Sequence, residues 1–458
     1  MKNFINEDKI SYILEKTESP SNQSVKTIIN KSLQLKGLSP AEASVLLNCE
    51  DVILLDRIFT TARQIKDLIY GNRIVLFAPL YLSDRCINNC LYCGFSRETS
   101  NSDKRILSTK EVREETKALI SQGHKRLLLV SAEDPAVTID YLEEVIKTVY
   151  ETKSGNGSIR RLNVNVAPMS IQDFKRLKHT GIGTYQLFQE TYHSSTYNNM
   201  HLGGPKSDYL KRLYACSNAQ RAGIDDVGIG ALFGLYDYRF EVLALLLHAL
   251  HLEKTFGVGP HTISIPRLEP AFGSNISVHP PYRVSDLELK KIIAILRLAV
   301  PYTGIILSTR EKVSLRNELF HLGVSQISAG SKTGPGSYSG KGNSQGQFSI
   351  SDIRSLAEVV EDLTSMGFLP SFCTSCYRSG RTGGNFMSLA KPGEIKKLCQ
   401  PNALLTFEEY LLDHKPELSR KTENLVSSEL EKIEDPEVRK ITSNCIKSLI
   451  QGERDLYL

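Results

Sequence analysis

The 458-residue sequence contains no tryptophan, and nothing in the sequence explains that absence. Long hydrophobic runs are missing as well. The longest runs, such as Leu243–Leu247 in EVLALLLHALHLE, are far shorter than the roughly 20 residues that span a bilayer. Neither charge dominates, because 56 lysines and arginines are interleaved with 51 aspartates and glutamates. No basic stripe with aromatic partners stands out, so we expect neither a membrane-spanning helix nor nucleic-acid binding.

The first residues, MKNFINEDKISYILEK, carry acidic side chains and lack the apolar stretch of a secretory signal. We therefore expect a cytoplasmic protein in a reducing compartment, where disulfides are rare. Nine cysteines then need another explanation, since clustered thiols in such a compartment favour metal binding. Six of the nine fall in two tight groups, which are Cys86, Cys90 and Cys93, and Cys373, Cys376 and Cys399. The other three lie singly in helical patterns and are interpreted as packing residues, namely Cys49, Cys216 and Cys445.

Short apolar strands alternate with capped amphipathic helices about eight times from Ile74 onward. Ser108 with Glu111 is one such helix start, because the two side chains form a capping box. This alternation predicts an α/β fold, a parallel (βα)8 barrel of the TIM type. The expected division is a helical extension over residues 1–73, the barrel over 74–348 and a helical C-terminal domain over 349–458 that carries the second cysteine group.

The first cysteine group has the spacing CxxxCxxC and follows the first predicted strand, so a barrel would present its thiols at the carboxyl-end mouth. Four-iron clusters normally take four thiolates, and three thiolates leave one iron free for an external chelator. The alternatives are buried structural thiols or a zinc knuckle without its fourth ligand. Zinc sites usually show two CxxC-like pairs, which this segment lacks.

A CxxxCxxC motif with an aromatic residue, here Tyr92, before its last cysteine is the signature of the radical S-adenosylmethionine (SAM) superfamily, which this sequence resembles. The resemblance implies a 4Fe-4S cluster at Cys86, Cys90 and Cys93, with SAM chelating the open iron. One electron from the cluster would cleave SAM to a 5′-deoxyadenosyl radical, while the protein mainly positions and shields it.

The same resemblance implies which residues hold SAM. Tyr92 would lie against the adenine, Glu133 would receive the amino group, and Glu190 and Arg212 would grip the ribose and the carboxylate. Superfamily members usually have two glycines before this glutamate, where the chain has Ser131 and Ala132. The alternatives are loop packing for Tyr92 and a surface ion pair for Glu190 or Arg212.

The second cysteine group is a CxxC followed after 22 residues by a third cysteine. Three thiolates again suggest a cluster with a unique iron. A structural zinc completed by His414 or a carboxylate is the alternative. With CYRSGRTG between the cysteines, and with stretches such as GIGTYQLFQETYH and CQPNALLTFEEYL, the sequence resembles the HydG family of iron-iron hydrogenase maturases over nearly its whole length.

That resemblance implies a lyase that splits the Cα–Cβ bond of L-tyrosine into p-cresol and dehydroglycine at the first cluster. An auxiliary 4Fe-4S-type cluster, with an additional iron, would then convert dehydroglycine into carbon monoxide and cyanide for the hydrogenase active site. The implied partners are an electron donor such as flavodoxin or ferredoxin and other hydrogenase maturation proteins. The alternatives are the 2-iminoacetate synthase of thiamine biosynthesis, which shares the first reaction but lacks the cysteine tail, and a non-catalytic iron-sulfur scaffold.

Several further roles follow from this resemblance. His261, interpreted as the end of the sixth strand facing the barrel mouth, would bind the additional iron; a packed strand histidine is the alternative. Ser308 and Arg310, at the end of the seventh strand, would bind the tyrosine carboxylate, although Arg310 could equally form a rim ion pair. Arg378 and Arg381 would attract anionic dehydroglycine or cyanide, or would only neutralise the thiolate cluster.

The eighth strand is expected to end at Gln326 and Ser328, which with Gly330 would border a cavity joining the two clusters. A Gly/Ser-rich loop, GSKTGPGSYSGKGNSQG, follows at the end of the barrel where active sites form. Its length predicts either a lid or a plain flexible loop.

Overall fold

Eight parallel strands close into a barrel in the computed structural model, which describes residues 2–99, 104–342 and 345–458. In chain order the strands are β1 Arg73–Ser83, β2 Arg126–Ser131, β3 Arg161–Asn165, β4 Thr184–Gln186, β5 Asp226–Gly230, β6 Thr262–Ser264, β7 Gly304–Leu307 and β8 Gln326–Ser328. Each strand pairs with the next, and β8 returns to β1 by pairing Gln326 with Val75 and Ser328 with Phe77. The predicted (βα)8 barrel of TIM type is thus confirmed.

Helices cover the outside of the barrel and both of its flanks. Four precede the first strand: α1 Glu7–Lys16, α2 Asn22–Ser32, α3 Pro40–Leu47 and α4 Val52–Tyr70. Ten accompany the strands: α5 Thr109–Ser121, α6 Ile139–Glu151, α7 Ile171–His179, α8 Ser194–Met200, α9 Tyr209–Leu213, α10 Ala215–Arg221, α11 Tyr238–Phe256, α12 Asn275–Val278, α13 Asp286–Ala299 and α14 Val313–Phe320. The remaining six are α15 Leu356–Ser365, α16 Ser375–Arg378, α17 Gly383–Ala390, α18 Lys396–His414, α19 Pro416–Glu431 and α20 Pro436–Ile450.

Local chemistry sets many of these helix starts. Ser108 accepts a hydrogen bond from the backbone N–H of Glu111, whose carboxylate in turn accepts from the Ser108 N–H, so the predicted capping box is confirmed. No helix within the described part of the chain is both long and apolar enough to cross a bilayer.

Among the short strands that were not predicted, one extends the barrel sheet. Residues Leu369–Ser371 form β9, which pairs in parallel with the first three residues of β1 on the outside of the barrel. From there the C-terminal helices fold across the amino end of the barrel, where buried Glu409 of α18 accepts hydrogen bonds from Lys125 and Arg160. Burial raises the pKa of Glu409, but the two cations lower it by more, so the pKa falls to about 2.

Two residues lie at the opposite ends of their strands from those predicted. The pairing of β6 begins at Thr262, so His261 directly precedes the strand. Likewise, Gln326 is the first residue of β8 and not near its end. Because the strands are parallel, both residues face the amino end of the barrel, away from the mouth where the first cysteine group lies.

Candidate cysteine sites at opposite ends of the barrel

The first candidate site is a cavity of about 210 Å³ at the carboxyl end of the barrel. Cys86, Cys90 and Cys93 line it together. It also brings together seven other residues singled out from the sequence, which are Tyr92, Glu133, Glu190, Arg212, Ser308, Arg310 and Ser328. Residues that are far apart in sequence meet here because the carboxyl ends of all eight strands open on the same face.

Asn88, inside the cysteine motif, connects three parts of this site. Its amide nitrogen donates to Glu133 Oε2 at 2.8 Å and lies 3.6 Å from Cys86 Sγ. Its amide oxygen accepts from the backbone N–H of Lys206 at 2.8 Å. Gly204 permits this approach, because a Cβ there would lie 2.5 Å from that oxygen and the residue has φ +86°. Asn88 was not predicted as a site residue, although its position between two cysteines of the motif was a usable signal.

Glu190 forms a buried ion cluster with two cations. Its Oε1 accepts from Lys206 Nζ at 2.7 Å and from Arg212 at 2.9 Å. Burial raises its pKa, but Lys206 and Arg212 more than offset this and bring the pKa to about 2. The backbone of Glu190 has φ 71°, a strained conformation for a non-glycine residue and one that is concentrated at functional sites. No sequence pattern pointed to Lys206.

Tyr92 lies in the wall of the same cavity, with only 7% of its surface exposed. Its hydroxyl is 2.8 Å from Nε2 of the buried His201, and Lys206 Nζ lies 5.5 Å from its ring centroid. Burial lowers the pKa of His201 to about 3, so the imidazole is neutral and can accept the tyrosine proton in a hydrogen bond. The ring position of Tyr92 is therefore fixed from both its edge and its face.

Arg310 is partly buried, and it forms no ion pair with a carboxylate of the described residues. Its guanidinium carbon lies 3.3 Å from the ring centroid of Phe348, and its Nη1 donates to the carbonyl oxygen of Arg267 at 3.2 Å. Burial lowers the pKa of Arg310, which nevertheless stays a cation. Ser308 precedes it by two residues and accepts from its backbone N–H at 3.5 Å.

The donor set of the first cavity fits an iron-sulfur cluster with one open iron and SAM beside it. Three thiols converge, and no further cysteine lines this cavity among the described residues. Burial raises the pKa of Cys90 to about 12, so a bound metal is what would hold its thiolate. Ser131 and Ala132, in place of the usual glycines, also line the cavity, and the Ser131 hydroxyl donates to the Ala132 carbonyl at 3.0 Å.

The second candidate site is a cavity of about 50 Å³ at the amino end of the barrel. Cys373, Cys376 and Cys399 line it together with His261 and Gln326. Within the described ranges, no three or more His, Cys, Asp or Glu side chains are arranged to hold a single metal ion. His414, considered as a zinc ligand, does not line this cavity and packs instead against Tyr410.

Three buried arginines also line the second cavity, and each is the first residue of its strand: Arg73, Arg126 and Arg161. Arg126 donates to the carbonyl oxygen of Cys373 at 3.1 Å, and the Nε atoms of Arg73 and Arg126 are buried without a hydrogen-bond partner. Burial lowers the pKa of Arg73, but the three nearby thiols raise it by more, so the pKa lies above its ordinary value. This concentration of positive charge fits an anionic iron-sulfur cluster. These arginines were not predicted, because an arginine at the start of an apolar strand has the same local pattern as a solvated strand end.

The cysteines of the second site are also linked to one another. A hydrogen bond with Cys399 and the nearby Arg381 cation lower the pKa of the Cys376 thiol. Cys373 Sγ lies 3.4 Å from the backbone N–H of Ser375, which donates to it. At least one thiolate is thus favoured here before any metal binds.

Arg378 and Arg381 do not line the second cavity, although both were singled out from the sequence. Arg378 forms two hydrogen bonds with Asp455 at 2.6 and 2.8 Å and lies over the ring of Tyr457. Arg381 donates to the carbonyl oxygen of Leu458 at 2.7 Å, while its own backbone N–H donates to Cys376. The two arginines attach the last residues of the chain beside the second cysteine group.

The two cavities lie back to back along the barrel axis. On β1, Val75 lines the second cavity and Phe77 the first; on β8, Gln326 lines the second and Ser328 the first. Residues two apart on a strand are separated by about 7 Å, so the interior of the barrel is the shortest route between the sites. Gly330, expected to border that route, lies outside both linings and packs near Leu356.

Comparison with known proteins gives family matches over most of the barrel. The family profile of the radical SAM superfamily matches residues 80–247, and that of the biotin and thiamin synthesis associated domain matches residues 264–369. The 2-iminoacetate synthase of Salmonella typhimurium is 34% identical over 345 residues, which cover 75% of this chain and 89% of that protein.

Two solved structures match nearly the full chain. The crystal structure of HydG, a maturase of the [FeFe]-hydrogenase, is 51% identical, with a TM-score of 0.97 and 100% of both chains covered. The X-ray structure of the FeFe-hydrogenase maturase HydG from Carboxydothermus hydrogenoformans is 44% identical, with a TM-score of 0.84, and the match covers 96% of this chain and 97% of that one.

Proposed function

Because this chain belongs to the radical SAM superfamily and, within it, to the HydG family of [FeFe]-hydrogenase maturases, we propose that it cleaves L-tyrosine and makes carbon monoxide and cyanide for the hydrogenase. The first step would give p-cresol and dehydroglycine at the carboxyl end of the barrel. The second would convert dehydroglycine at the amino end.

The observation that carries this proposal is the pair of three-cysteine cavities at opposite ends of one barrel. A one-step lyase needs only the first of them. The second has its own thiols, its own imidazole and a set of buried arginines, and it depends on the C-terminal segment. The match to HydG structures includes that segment, since it covers 96 to 100% of the chain.

At the first site, the bound cluster would supply one electron to SAM and so generate the radical that attacks tyrosine. Glu133, Glu190 and Arg212 would hold SAM, and Tyr92 would border its adenine. The Arg310 guanidinium, with Ser308 beside it, is suited to the tyrosine carboxylate because it lines the cavity, is cationic and is fixed by Phe348. A carboxylate in that position would leave the rest of tyrosine directed into the barrel mouth.

At the second site, Cys373, Cys376 and Cys399 would hold an auxiliary 4Fe-4S-type cluster, and His261 would bind an additional iron. Arg73 and Arg126 would balance the negative charge of that cluster from inside the barrel wall. The conversion of dehydroglycine to carbon monoxide and cyanide would take place there. An electron donor such as flavodoxin or ferredoxin would serve the first site, and other maturation proteins would receive the product.

The test separates the two reactions. Reconstituted Cys376→Ala, given SAM, tyrosine and reductant without oxygen, is expected to make p-cresol at the wild-type rate but no carbon monoxide. Cys445→Ala, which changes a cysteine on α20 outside both cavities, is the matched control and should make both products. Loss of p-cresol together with carbon monoxide in Cys376→Ala would contradict the two-site proposal.

The similarity to 2-iminoacetate synthases supports a second candidate, a lyase that stops at dehydroglycine. Wild-type protein would then release p-cresol without carbon monoxide, whatever the state of Cys376. A scaffold without catalytic activity, suggested by Ser131 and Ala132, would release neither p-cresol nor 5′-deoxyadenosine.

A further inference from the structure

The glycine-rich loop after β8 is attached directly to the first cysteine motif. The backbone N–H of Gly94, the residue after Cys93, donates to the carbonyl oxygen of Gln347 at 3.1 Å. A Cβ at Gly94 would lie 2.9 Å from that oxygen, so glycine is what permits the contact. On the loop side, the N–H of Gln347 donates to the Thr333 carbonyl at 2.9 Å, which holds the base of the loop together.

The side chain of Gln347 reaches from this contact to a sulfur of the first site. Its Nε2 lies 3.8 Å from Cys93 Sγ, within hydrogen-bonding reach of sulfur. Its Oε1 accepts from the hydroxyl of Tyr81 at 2.9 Å. Tyr81 is buried on β1, and burial raises its pKa well above the ordinary value, so the phenol keeps its proton and acts as donor. The amide is therefore oriented with its oxygen toward Tyr81 and its NH2 group toward Cys93.

The neighbouring residue of the loop reaches the other half of the site. Phe348 stacks on Arg310, the proposed carboxylate binder, while Gln347 contacts Cys93. Two adjacent loop residues thus contact the cluster side and the substrate side of one cavity.

We propose that Gln347 is a positioning residue that sets the reduction potential of the first cluster by donating an N–H bond to the Cys93 sulfur, with Tyr81 orienting its amide. Hydrogen bonds to cluster sulfurs tune the reduction potential. They favour the reduced state, because it carries more negative charge on the sulfurs. The inference depends only on a cluster at Cys86, Cys90 and Cys93 and not on the tyrosine or carbon monoxide chemistry.

The test is a redox titration of the first cluster, followed by paramagnetic resonance in protein whose second cluster has been removed by Cys376→Ala and Cys399→Ala. Gln347→Leu should shift the midpoint potential to more negative values at unchanged iron content. Gln347→Glu keeps the acceptor for Tyr81 but replaces the donor with a carboxylate, so its shift should be at least as large. Tyr81→Phe should give a smaller shift in the same direction. Gln345→Leu, an exposed glutamine in the same loop, is the matched control and should leave the potential unchanged.

Equal potentials in the wild type, Gln347→Leu and Gln347→Glu would overturn the proposal, as would an equal shift in Gln345→Leu. If Gln347→Leu fails to load iron, the potentials of Gln347→Glu and Tyr81→Phe test the proposal instead. Potentials equal to that of the wild type in both variants would overturn it. Because the titration needs no substrate, the shift would stand even if the wild type made no p-cresol. Failure of the proposed function and failure of this inference are therefore distinguishable.

Discussion

Nδ1 of His261 lies 3.6 Å from Oδ1 of Asp226, at the amino end of the barrel beside the second cysteine group. The same carboxylate oxygen accepts from the backbone N–H of Gly383 at 3.0 Å, and Oδ2 lies 3.6 Å from Arg161. Asp226 is almost completely buried. The negative charge of Asp226 favours a proton on Nδ1, the nearer ring nitrogen, and so leaves Nε2 free to bind a metal. Through Gly383, Asp226 also connects β5 to the start of α17.

Changing Asp226 to Asn should reduce the iron held at the second site and leave the first site loaded. The amide keeps an acceptor for Gly383 but removes the negative charge that faces His261 and Arg161. We expect the iron and sulfide content to fall by the share of the second cluster, with p-cresol formation retained. Asp225→Asn, a change to the exposed neighbour, should keep full iron content. Equal iron in the two variants would contradict the role of Asp226.

Replacing Glu190 with Gln should destabilise the apo-protein in a pH-dependent way. The pKa of Glu190 is lowered from 4.5 to about 2, which corresponds to about 3 kcal/mol in the free energy of unfolding. A lowered carboxyl pKa stabilises the fold above the unfolded-state pKa and loses that contribution as the pH falls. The difference in the free energy of unfolding between wild type and Glu190→Gln should therefore be constant from pH 7 to 5 and become smaller below about pH 4.5.

Urea denaturation followed by circular dichroism measures this difference. The matched control is Glu98→Gln, because Glu98 pairs with Arg97 on the exposed surface, where such pairs contribute little. It should change the free energy of unfolding by less than about 0.5 kcal/mol at every pH. If the difference in the free energy of unfolding does not become smaller in acid, the carboxylate charge of Glu190 is not what stabilises its ion cluster with Lys206 and Arg212.

The sequence predicted the barrel because strand and helix periodicities, with capping boxes such as Ser108 and Glu111, are local signals. It placed His261 at the wrong end of its strand because the first paired residue depends on the neighbouring strands, and pairing with Gly228 and Gly304 begins only at Thr262.

Other features of the candidate sites depend on contacts that no local pattern records. The sequence predicts solvated strand ends at the three arginines Arg73, Arg126 and Arg161. They are buried only because the C-terminal helices cover the amino end of the barrel. The three residues of β9 were too few, with a proline among them, to be recognised as a strand.

Changing Asn88 to Ala should weaken SAM binding to the reconstituted protein about tenfold. Asn88 donates to the Glu133 carboxylate and holds the backbone of Lys206, and a hydrogen bond to a charged group contributes about 1.5 kcal/mol or more. Equilibrium dialysis with labelled SAM measures the affinity. Asn89→Ala, in the same loop, removes a contact to Ser96 but none to Glu133, so its affinity should stay near that of the wild type. Similar losses in both variants would indicate general damage to the loop.

The last residues of the chain should slow the loss of iron from the second site. Asp455 makes two hydrogen bonds with Arg378, which follows Cys376 by two residues. Asp455→Asn removes the charge that faces Arg378 and, at 3.0 Å, Arg160, but it suits the left-handed backbone at φ 64°, so a changed rate reports the lost ion pairs of Asp455. A partly exposed bidentate pair contributes roughly 1 kcal/mol, so a chelator should remove second-site iron several-fold faster. Glu453→Gln changes an exposed carboxylate two residues away and should not change that rate. Equal rates of iron loss in both variants would show that the ion pairs of Asp455 do not retain the iron.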